Sequence, residues 1–359
     1  MVLTSLLHGI AIITMFKEHL LLSQLIANDS QLSNFTQVSH IINQGLAPIV
    51  SVLNPSTELQ KANLLQQAKY LNWVSKSKIL CELLNQNKIE FFIFKGFAYN
   101  YLLYQQLPLR PHSDIDVFID EKDYGAVEKL LLHHKYQAVS SRQGRFISFQ
   151  NSFYDDKKIN TVFDIHWQIS NRTEIHPYFQ FKKLYKLSST IAASDFLFKT
   201  LDSIHAFIYA CFHFQAHRPE DRKHIWLYDL ALMWKGFTTK EQNKCFDLSL
   251  HYNLYDLIGG TLQTLNLTFG ELISFQALNG KPFSFHSNYL KSRNFKGRDF
   301  LQRLKKLKGF KDKSLYISEY LFQNKHYVQT RYKLQSSQWV YLFYPRMWFE
   351  DIVKLIKKP

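Results

Sequence analysis

Cysteine is scarce in this chain of 359 residues, which contains only Cys81, Cys211 and Cys245. The three are scattered, too few for a disulfide framework and without the paired spacing of a zinc site. They favour reduced, buried thiols and therefore a cytoplasmic protein. A zincin-type metalloprotease is excluded as well, because no Glu follows His213 in the histidine pair His213 and His217.

Long apolar runs, internal repeats and low-complexity tracts are also missing. The apolar run over residues 1–16 is too short to span a bilayer. It lacks a preceding basic segment and a small-residue cleavage site, and the charged residues at 17–19 interrupt it. We interpret this run as a packed helix, with a secretory signal as the alternative.

Acidic residues are outnumbered, with 29 Asp and Glu against 44 Lys and Arg, and the excess is uneven. Residues 281–359 hold 18 basic against 5 acidic residues, so the remainder is nearly neutral. This basic region includes the aromatic stretch 339–349, and rings beside lysines suit either RNA or an anionic membrane surface. The alternative is an aromatic core helix with a solvated basic face.

The remaining composition is globular, with 46% hydrophobic residues, 30 Phe and 20 Tyr. Residues 1–85 have helical periodicity, and residues 86–170 alternate strand-like and helical segments. Residues 171–280 are helical again, and 281–359 form the basic, aromatic-rich region. Because neighbouring strand-like segments such as 145–150 and 161–169 are joined by short turns, we predict an α+β fold with a mixed sheet.

Two aspartates lie one residue apart in the stretch that holds most of the candidate chemistry. The run 115–119, in which every residue except Asp116 is β-branched or aromatic, predicts a strand that would place Asp114 and Asp116 on one face. Two carboxylates on one face repel each other, and a divalent cation such as Mg²⁺ removes that penalty. The alternative is a solvated strand end or an Asx turn.

Phosphate-binding signals precede these aspartates. The apolar run 89–94 predicts a buried strand, and Lys95 and Gly96 follow it directly. Glycine lets a backbone approach a ligand closely, and a lysine beside it suits phosphate. Arg110 lies just upstream of the aspartates, where its guanidinium could fork onto phosphate oxygens.

A third carboxylate lies further along the chain. The segment 161–169 alternates, which predicts a strand with Asp164, His166 and Gln168 on one face. A polar outer face explains the alternation but not why Asp and His occur together.

Together, the pattern KG…Y…R…DIDVFID resembles the bacterial nucleotidyltransferase family with a KG-x-R-x-DID signature, within the DNA polymerase β-like superfamily. The resemblance implies a polymerase β-like core that uses an NTP and Mg²⁺ or Mn²⁺. It implies that Asp114 and Asp116 bind metal and that Asp164 is the third acid, which binds metal or takes the acceptor's proton. The residues assigned to nucleotide or phosphate are Lys95, Gly96, Arg110, Ser113 and His166.

Two features depart from the superfamily pattern. Phe97 stands where many members have a second glycine or a serine, and seventeen residues separate Gly96 from Asp114. The chain is thus predicted to be an ATP- or other NTP-dependent nucleotidyltransferase with an unidentified acceptor. Its alternatives are a catalytically silent binding module, or an RNA- or membrane-associated protein that acts through residues 281–359. For His213 and His217 the options are a metal site, packing, or the lining of a substrate pocket.

Overall fold

The computed structural model describes residues 38–356, apart from the following gaps: 105–107, 140–145, 147, 156–161, 171–174, 194, 218, 271–299, 302–303, 306, 308, 324 and 335. The predicted helix at residues 1–16 lies outside the described residues, as do residues 281–299 of the basic region.

Helices predominate. They are α1 (Val38–Asn43), α2 (Ala47–Leu53), α3 (Thr57–Gln86), α4 (Gly96–Leu103), α5 (Tyr124–His133), α6 (Phe181–Leu187), α7 (Ser203–Ala216), α8 (His224–Gly236), α9 (Thr239–His251), α10 (Tyr255–Phe269), α11 (Phe310–Leu321), α12 (Lys325–Tyr332) and α13 (Val340–Ile356). Short 3₁₀ turns cover Glu121–Asp123, Pro219–Asp221 and Ser337–Trp339.

Within the described residues, seven strands form two sheets. The strands are β1 (Phe91–Phe94), β2 (Ile115–Ile119), β3 (Tyr136–Ala138), β4 (Gln150–Asp155), β5 (Val162–His166), β6 (Ser189–Ala193) and β7 (Phe196–Thr200). The main sheet has the order β1-β2-β5-β4-β3, and β6 and β7 form a separate antiparallel pair. The predicted α+β class with a mixed sheet is therefore confirmed.

Strand β4 is antiparallel to both of its neighbours, β3 and β5. Its register with β5 determines which of its polar side chains face those of β5. Its register with β5 runs from Gln150 opposite His166 to Tyr154 opposite Val162. The sequence predicted this strand at 145–150, which was wrong: residues 148 and 149 are outside any strand, and the strand begins at Gln150. Alternation alone does not fix register, and pairing with β5 does.

The chain divides into two compact units, each assembled from separated segments. The first comprises residues 1–82, 93–115 and 187–287. Its core includes helices α7 and α8, where Phe207 packs on Trp234 with ring centroids 5.2 Å apart. Both rings are almost fully buried.

The second unit comprises residues 83–92, 116–186 and 288–359. One aromatic group in its core contains Phe92, Phe118 and Phe181, with ring centroids 5.2–5.8 Å apart. In its C-terminal segment, Val340 and Met347 of α13 belong to a smaller buried cluster. The division at 85, 170 and 280 inferred from the sequence stays a prediction.

Among the described helices, none combines the length and the apolar composition that crossing a membrane requires.

Candidate active site

Two aspartates and a histidine come together in the second unit. Asp116 lies on β2, and Asp164 and His166 lie on the adjacent strand β5. One potential ligand atom from each of the three lies within 4.8 Å of the other two. Their exposed fractions are 2%, 9% and 0%, so the group is buried in the sheet region. We call these three residues the acidic triad.

Asp164 is oriented by two side chains of β4. Ser152, directly opposite in the strand register, donates its hydroxyl to Asp164 Oδ1 at 2.5 Å. Gln150 donates its amide Nε2 to Asp164 Oδ2 at 3.0 Å. Hydrogen bonds to both oxygens offset part of the cost of burying a carboxylate. They also fix the direction in which the remaining lone pairs point.

His166 joins the two strands through a single polar contact. Its Nε2 lies 2.9 Å from Asp116 Oδ1, and its ring is completely buried. An imidazole next to a carboxylate either donates a hydrogen bond to it or binds the same cation. The contact ties Asp116 to β5.

The donor set of the acidic triad fits a divalent cation. Two buried carboxylates this close together repel each other unless a positive charge compensates them. Carboxylate oxygens suit Mg²⁺ and Mn²⁺, which commonly complete their coordination with water and substrate phosphates. An imidazole nitrogen is a better ligand for Mn²⁺ and later transition metals than for Mg²⁺. The residues that would hold such an ion are Asp116 and Asp164, with His166 beside them.

Asp114 is not a member of the acidic triad. Strand β2 begins at Ile115, so Ser113 and Asp114 lie in the bend before it, the first exposed and the second half-buried. The sequence placed Asp114 and Asp116 on one strand face, but only Asp116 is in the strand. A role for Asp114 as a metal ligand stays a prediction, as does a phosphate contact by Ser113.

The turn at Lys95 and Gly96 has an unusual backbone. Lys95 has φ 60° and ψ −140°, a conformation that is costly for a residue with a Cβ. Gly96 begins α4, and the side chains of Arg110 and His112 lie directly against its Cα. A Cβ on Gly96 would lie 2.7 Å from the Cβ of His112 and closer still to Nη1 of Arg110. Glycine is therefore required at position 96 by space.

Arg110 forms a buried ion pair. Its Nε and Nη2 both reach Oδ2 of Asp229 on α8, at 3.1 and 3.0 Å, and Nη1 donates to the carbonyl of Pro111 at 2.9 Å. Both backbone polar groups of Arg110 bind the side-chain amide of Asn100. A contact between this guanidinium and phosphate, inferred from the sequence, stays a prediction.

Asp229 has a second partner. Tyr104 donates its hydroxyl to Oδ1 at 2.7 Å, so both carboxylate oxygens are bound. Burial raises the pKa of Asp229, while the charge and hydrogen bonds of Arg110 and the hydrogen bond from Tyr104 oppose this rise. Burial, together with the charge of Asp229, raises the pKa of Tyr104 well above its usual value, so this phenol remains a donor.

His112 lies next to this ion pair. Burial, and then the positive charge of Arg110, lower the pKa of His112 to about 3. Its ring packs between Trp73 and Phe97, with centroids 5.4 and 5.6 Å away. Because of its low pKa, the imidazole of His112 is neutral at physiological pH.

The structure thus brings together three residues that the sequence singled out, namely Asp116, Asp164 and His166. Sequence reasoning missed Ser152 and Gln150, because their roles depend on strand register. Asp229 was not among the candidate site residues, although a lone carboxylate in the apolar run IWLYDLALMW was an available signal of a buried partner.

Comparison with known proteins identifies a family. A family model described as an uncharacterised nucleotidyltransferase matches residues 31–269, which is more than half of the chain. This confirms the resemblance to nucleotidyltransferases found in the sequence. No curated protein matches the chain.

Three solved structures show weaker likeness. The lincosamide antibiotic adenylyltransferase LnuA, solved with lincomycin bound, is 15% identical with a TM-score of 0.33, over 46% of this chain and 97% of LnuA. The antibiotic-resistance factor ANT(2'')-Ia is 10% identical with a TM-score of 0.37, over 51% of this chain and 94% of its own. An antigenic nucleotidyltransferase-like protein from Paracoccidioides brasiliensis is 15% identical with a TM-score of 0.33, over 54% of this chain and 93% of its own.

These neighbours are nucleotidyltransferases of the polymerase β-like fold. At such low identities and TM-scores they say nothing about the substrate of this chain.

Proposed function

Because this chain belongs to a family of uncharacterised nucleotidyltransferases, we propose that it transfers a nucleoside monophosphate from an NTP to a hydroxyl or phosphate group of an acceptor, with a divalent cation held by Asp116 and Asp164. The observation that carries the proposal is the acidic triad, in which two buried carboxylates and an imidazole converge within 4.8 Å. Nucleotidyl transfer needs such a cation, since the triphosphate is strongly anionic.

In the proposed reaction an oxygen of the acceptor attacks the α-phosphorus of the NTP. The new bond joins that oxygen to phosphorus, the bond to the β-phosphate oxygen breaks, and pyrophosphate leaves with the electron pair. When bound, Mg²⁺ or Mn²⁺ supplies positive charge that neutralises the phosphate oxygens. The acceptor's proton has to leave as the bond forms, and Asp164 is the group we assign to take it.

The environment of each residue supports its assigned role. Ser152 and Gln150 hold both oxygens of Asp164, so this carboxylate has a fixed direction before any substrate arrives. His166 holds Asp116 in the same way from β5. The side chains of Asp116 and His166 are buried and that of Asp164 is 9% exposed, and a carboxylate attracts a cation more strongly in such surroundings than in bulk water.

Lys95 is the residue we assign to the phosphates of the NTP. Its Nζ lies over the rings of Phe94 and Tyr209, at 5.2 and 5.8 Å from their centroids, and the side chain is half-buried. The tight turn at Gly96 follows directly. A lysine at a glycine turn before a helix suits phosphate binding.

The test is to incubate the protein with each of the four α-labelled NTPs, with Mg²⁺ or Mn²⁺, in a lysate of candidate acceptors. We expect label on a lysate component with the wild type and with Asp247→Asn, an exposed aspartate on α9 that serves as the matched control. With Asp116→Asn we expect the rate of labelling to fall by on the order of 10²- to 10³-fold. Equal labelling by wild type and Asp116→Asn would contradict the proposal.

The labelled species would identify the acceptor class, which we propose to be anionic because the chain is strongly basic. RNA is one such acceptor, and binding of RNA or an anionic membrane by residues 281–359 stays a prediction. Metal-dependent NTP binding without transfer to any acceptor would favour the silent binding module instead.

A further inference from the structure

Three rings meet at the end of α7 in the first unit. The centroid of His213 lies 4.7 Å from that of His217 and 4.5 Å from that of Trp226, and His217 and Trp226 are also 4.7 Å apart. All three side chains are half-buried, so each keeps part of its surface exposed to solvent. We call these residues the ring cluster.

The chain builds the ring cluster from two helices and the segment between them. Helix α7 starts with Asp202 as its N-cap and ends at Ala216, so His217 is the first residue beyond it rather than part of its face. Arg222 donates Nε to the carbonyl of His217 at 3.2 Å and Nη2 to Oε1 of Gln215 at 3.1 Å. These bonds hold His217 against the end of the helix, where its ring reaches Trp226 near the start of α8.

The ring cluster continues into Lys95 through one buried ring. Tyr209 precedes His213 by one helical turn, and their ring centroids are 6.2 Å apart. Tyr209 is only 2% exposed, and the Nζ of Lys95 lies 5.8 Å from the centre of its ring. Lys95, Tyr209 and the ring cluster therefore form one row, with a cation at one end and partly exposed rings at the other.

The donor set of the ring cluster argues against a metal site. Zinc sites in proteins use three or four ligands, and His213 and His217 supply two. Among the described residues, the acidic triad is the group of three or more metal-binding side chains that the structure brings together, and neither histidine belongs to it. The two imidazoles instead pack against the indole of Trp226.

The order of groups along this row, with a cation at one end and rings at the other, corresponds to the order of phosphates and base in a nucleotide. Partly exposed rings stack on the faces of nucleobases, and every base presents such a face. An ammonium group attracts phosphate, and the ribose separates the base from the phosphates in any nucleotide. Tyr209 is buried, so it packs against His213 and Lys95 and does not contact a ligand.

We infer that the ring cluster is the binding site for the nucleobase of the NTP, with Lys95 at the phosphates of the same molecule. This inference rests on the proposed function, because it takes an NTP as the donor. It adds a site for the base, which is formed by His213, His217 and Trp226. Because every base presents a face for stacking, we expect the site to accept both purines and pyrimidines.

The test compares equilibrium binding of NTPs and of inorganic tripolyphosphate by calorimetry at fixed salt and Mg²⁺. In Trp226→Leu we expect NTP affinity to fall by roughly 5- to 150-fold, the range for loss of one stacking partner, and tripolyphosphate affinity to stay unchanged. In Lys95→Met we expect both affinities to fall. Trp339→Leu, which alters an exposed tryptophan of the second unit, is the matched control and should bind as the wild type does.

Trp226→Phe guards against misfolding, because it keeps a ring and is expected to retain most of the NTP affinity. Unchanged NTP affinity in a folded Trp226→Leu would overturn the inference, as would an equal loss for NTP and tripolyphosphate. If that variant bound NTP normally but no longer labelled the acceptor, the ring cluster would be an acceptor site instead.

The two proposals fail in different ways. NTP binding that depends on Trp226, with no label transferred to any acceptor, would support the ring cluster and contradict the proposed reaction. If transfer depends on Asp116 but NTP affinity is the same with and without Trp226, the proposed reaction would be supported and the ring cluster contradicted as the base site. A wild type that binds no NTP at all would overturn both.

Discussion

The acidic triad and the Arg110–Asp229 pair are both buried polar groups, but their charges are balanced differently. In the pair, a guanidinium meets a carboxylate, Tyr104 donates to the second carboxylate oxygen, and the carbonyl of Pro111 accepts a hydrogen bond from Nη1 of Arg110. In the triad, two carboxylates meet beside one imidazole. The pair is complete within the protein, whereas the triad is suited to an added cation.

This difference has opposite consequences for the stability of the free protein. A completed buried pair contributes to one defined packing arrangement, and removal of either partner leaves an uncompensated charge. Clustered carboxylates instead cost stability in the free protein and become favourable when a cation binds. The predictions that follow test the comparison from each side.

The largest effect is expected at the Arg110–Asp229 pair. Arg110→Met or Asp229→Leu alone should lower the free energy of unfolding by about 3–5 kcal/mol, because each leaves a buried unpaired charge. The double variant should lose much less, since a hydrophobic pair replaces both charges. Urea unfolding of the wild type, both single variants and the double variant measures this.

Arg346→Met is the matched control for Arg110. Arg346 also contacts a carboxylate, that of Glu350, but its side chain is 64% exposed. Exposed ion pairs contribute little to stability, so this variant should unfold close to the wild type. If Arg110→Met were no more destabilising than Arg346→Met, the pair would not be the structural element described above.

The second prediction concerns the acidic triad without any enzymatic reaction. Asp116→Asn removes one of two neighbouring charges, so we expect it to be at least as stable as the wild type in a chelator. Mg²⁺ or Mn²⁺ at a hundred times its dissociation constant should stabilise the wild type by about 2.7 kcal/mol and leave the variant unchanged.

Thermal or urea unfolding with and without the ion is the measurement, with Asp247→Asn as the control that should respond like the wild type. In the transfer assay Asp116→Asn should lose on the order of 10²- to 10³-fold in rate, as when one charge-stabilising group is removed from an active site. Ion-dependent stabilisation that persists in Asp116→Asn would place the cation elsewhere.

A smaller effect is expected at the residues that orient Asp164. Ser152→Ala removes the hydroxyl that binds Oδ1, so we expect a 10- to 100-fold loss of metal affinity, typical of changes to groups that position a ligand. Ser318→Ala, at an exposed position on α11, is the control. Titration of Mn²⁺ followed by its paramagnetic signal measures the affinity. Equal affinities in the two variants would mean that Ser152 does not act through Asp164.

How well the sequence predicted the acidic triad and the Arg110–Asp229 pair depended on whether the pattern was local or joined residues far apart in the chain. Strand β2 was predicted at 115–119, where it lies, because four of its five residues are β-branched or aromatic and favour a strand. Alternation grouped Asp164 with His166 on one strand face, and the resemblance to nucleotidyltransferases singled out Asp116 and Asp164 as acids of the site. Their proximity required the sheet order, in which β2 and β5 are neighbours.

Other features were not readable from local patterns. Ser152 faces Asp164 because of the register in which β4 pairs with β5. The alternating residues at 145–150 instead indicated a strand that ended at Gln150, before Ser152. Arg110 and Asp229 are 119 residues apart, so nothing near either of them names its partner. Arg110 was assigned to phosphate from its place before the aspartates, and its burial with Asp229 became visible only in the folded chain.

The smallest expected effect is a pH dependence of stability at His112. Its pKa of about 3 in the folded protein lies below the ordinary value of 6.5, because burial and the charge of Arg110 disfavour the imidazolium. Above pH 6.5 neither state is protonated and stability is full. As the pH falls below 6.5, the unfolded chain binds a proton that the folded protein does not. The free energy of unfolding therefore decreases, by up to about 1.4 kcal/mol per pH unit.

We therefore expect the slope of stability against pH between 6.5 and 5 to be shallower in His112→Gln than in the wild type. His133→Gln, which alters an exposed histidine near the end of α5, should keep the wild-type slope. Urea unfolding at several pH values in that window measures both. The effect links back to the buried pair, because in Arg110→Met the positive charge beside His112 is gone and the slope should fall as well. An unchanged slope in His112→Gln would mean that the imidazole accepts a proton in the folded state, and hence that Arg110 does not control it.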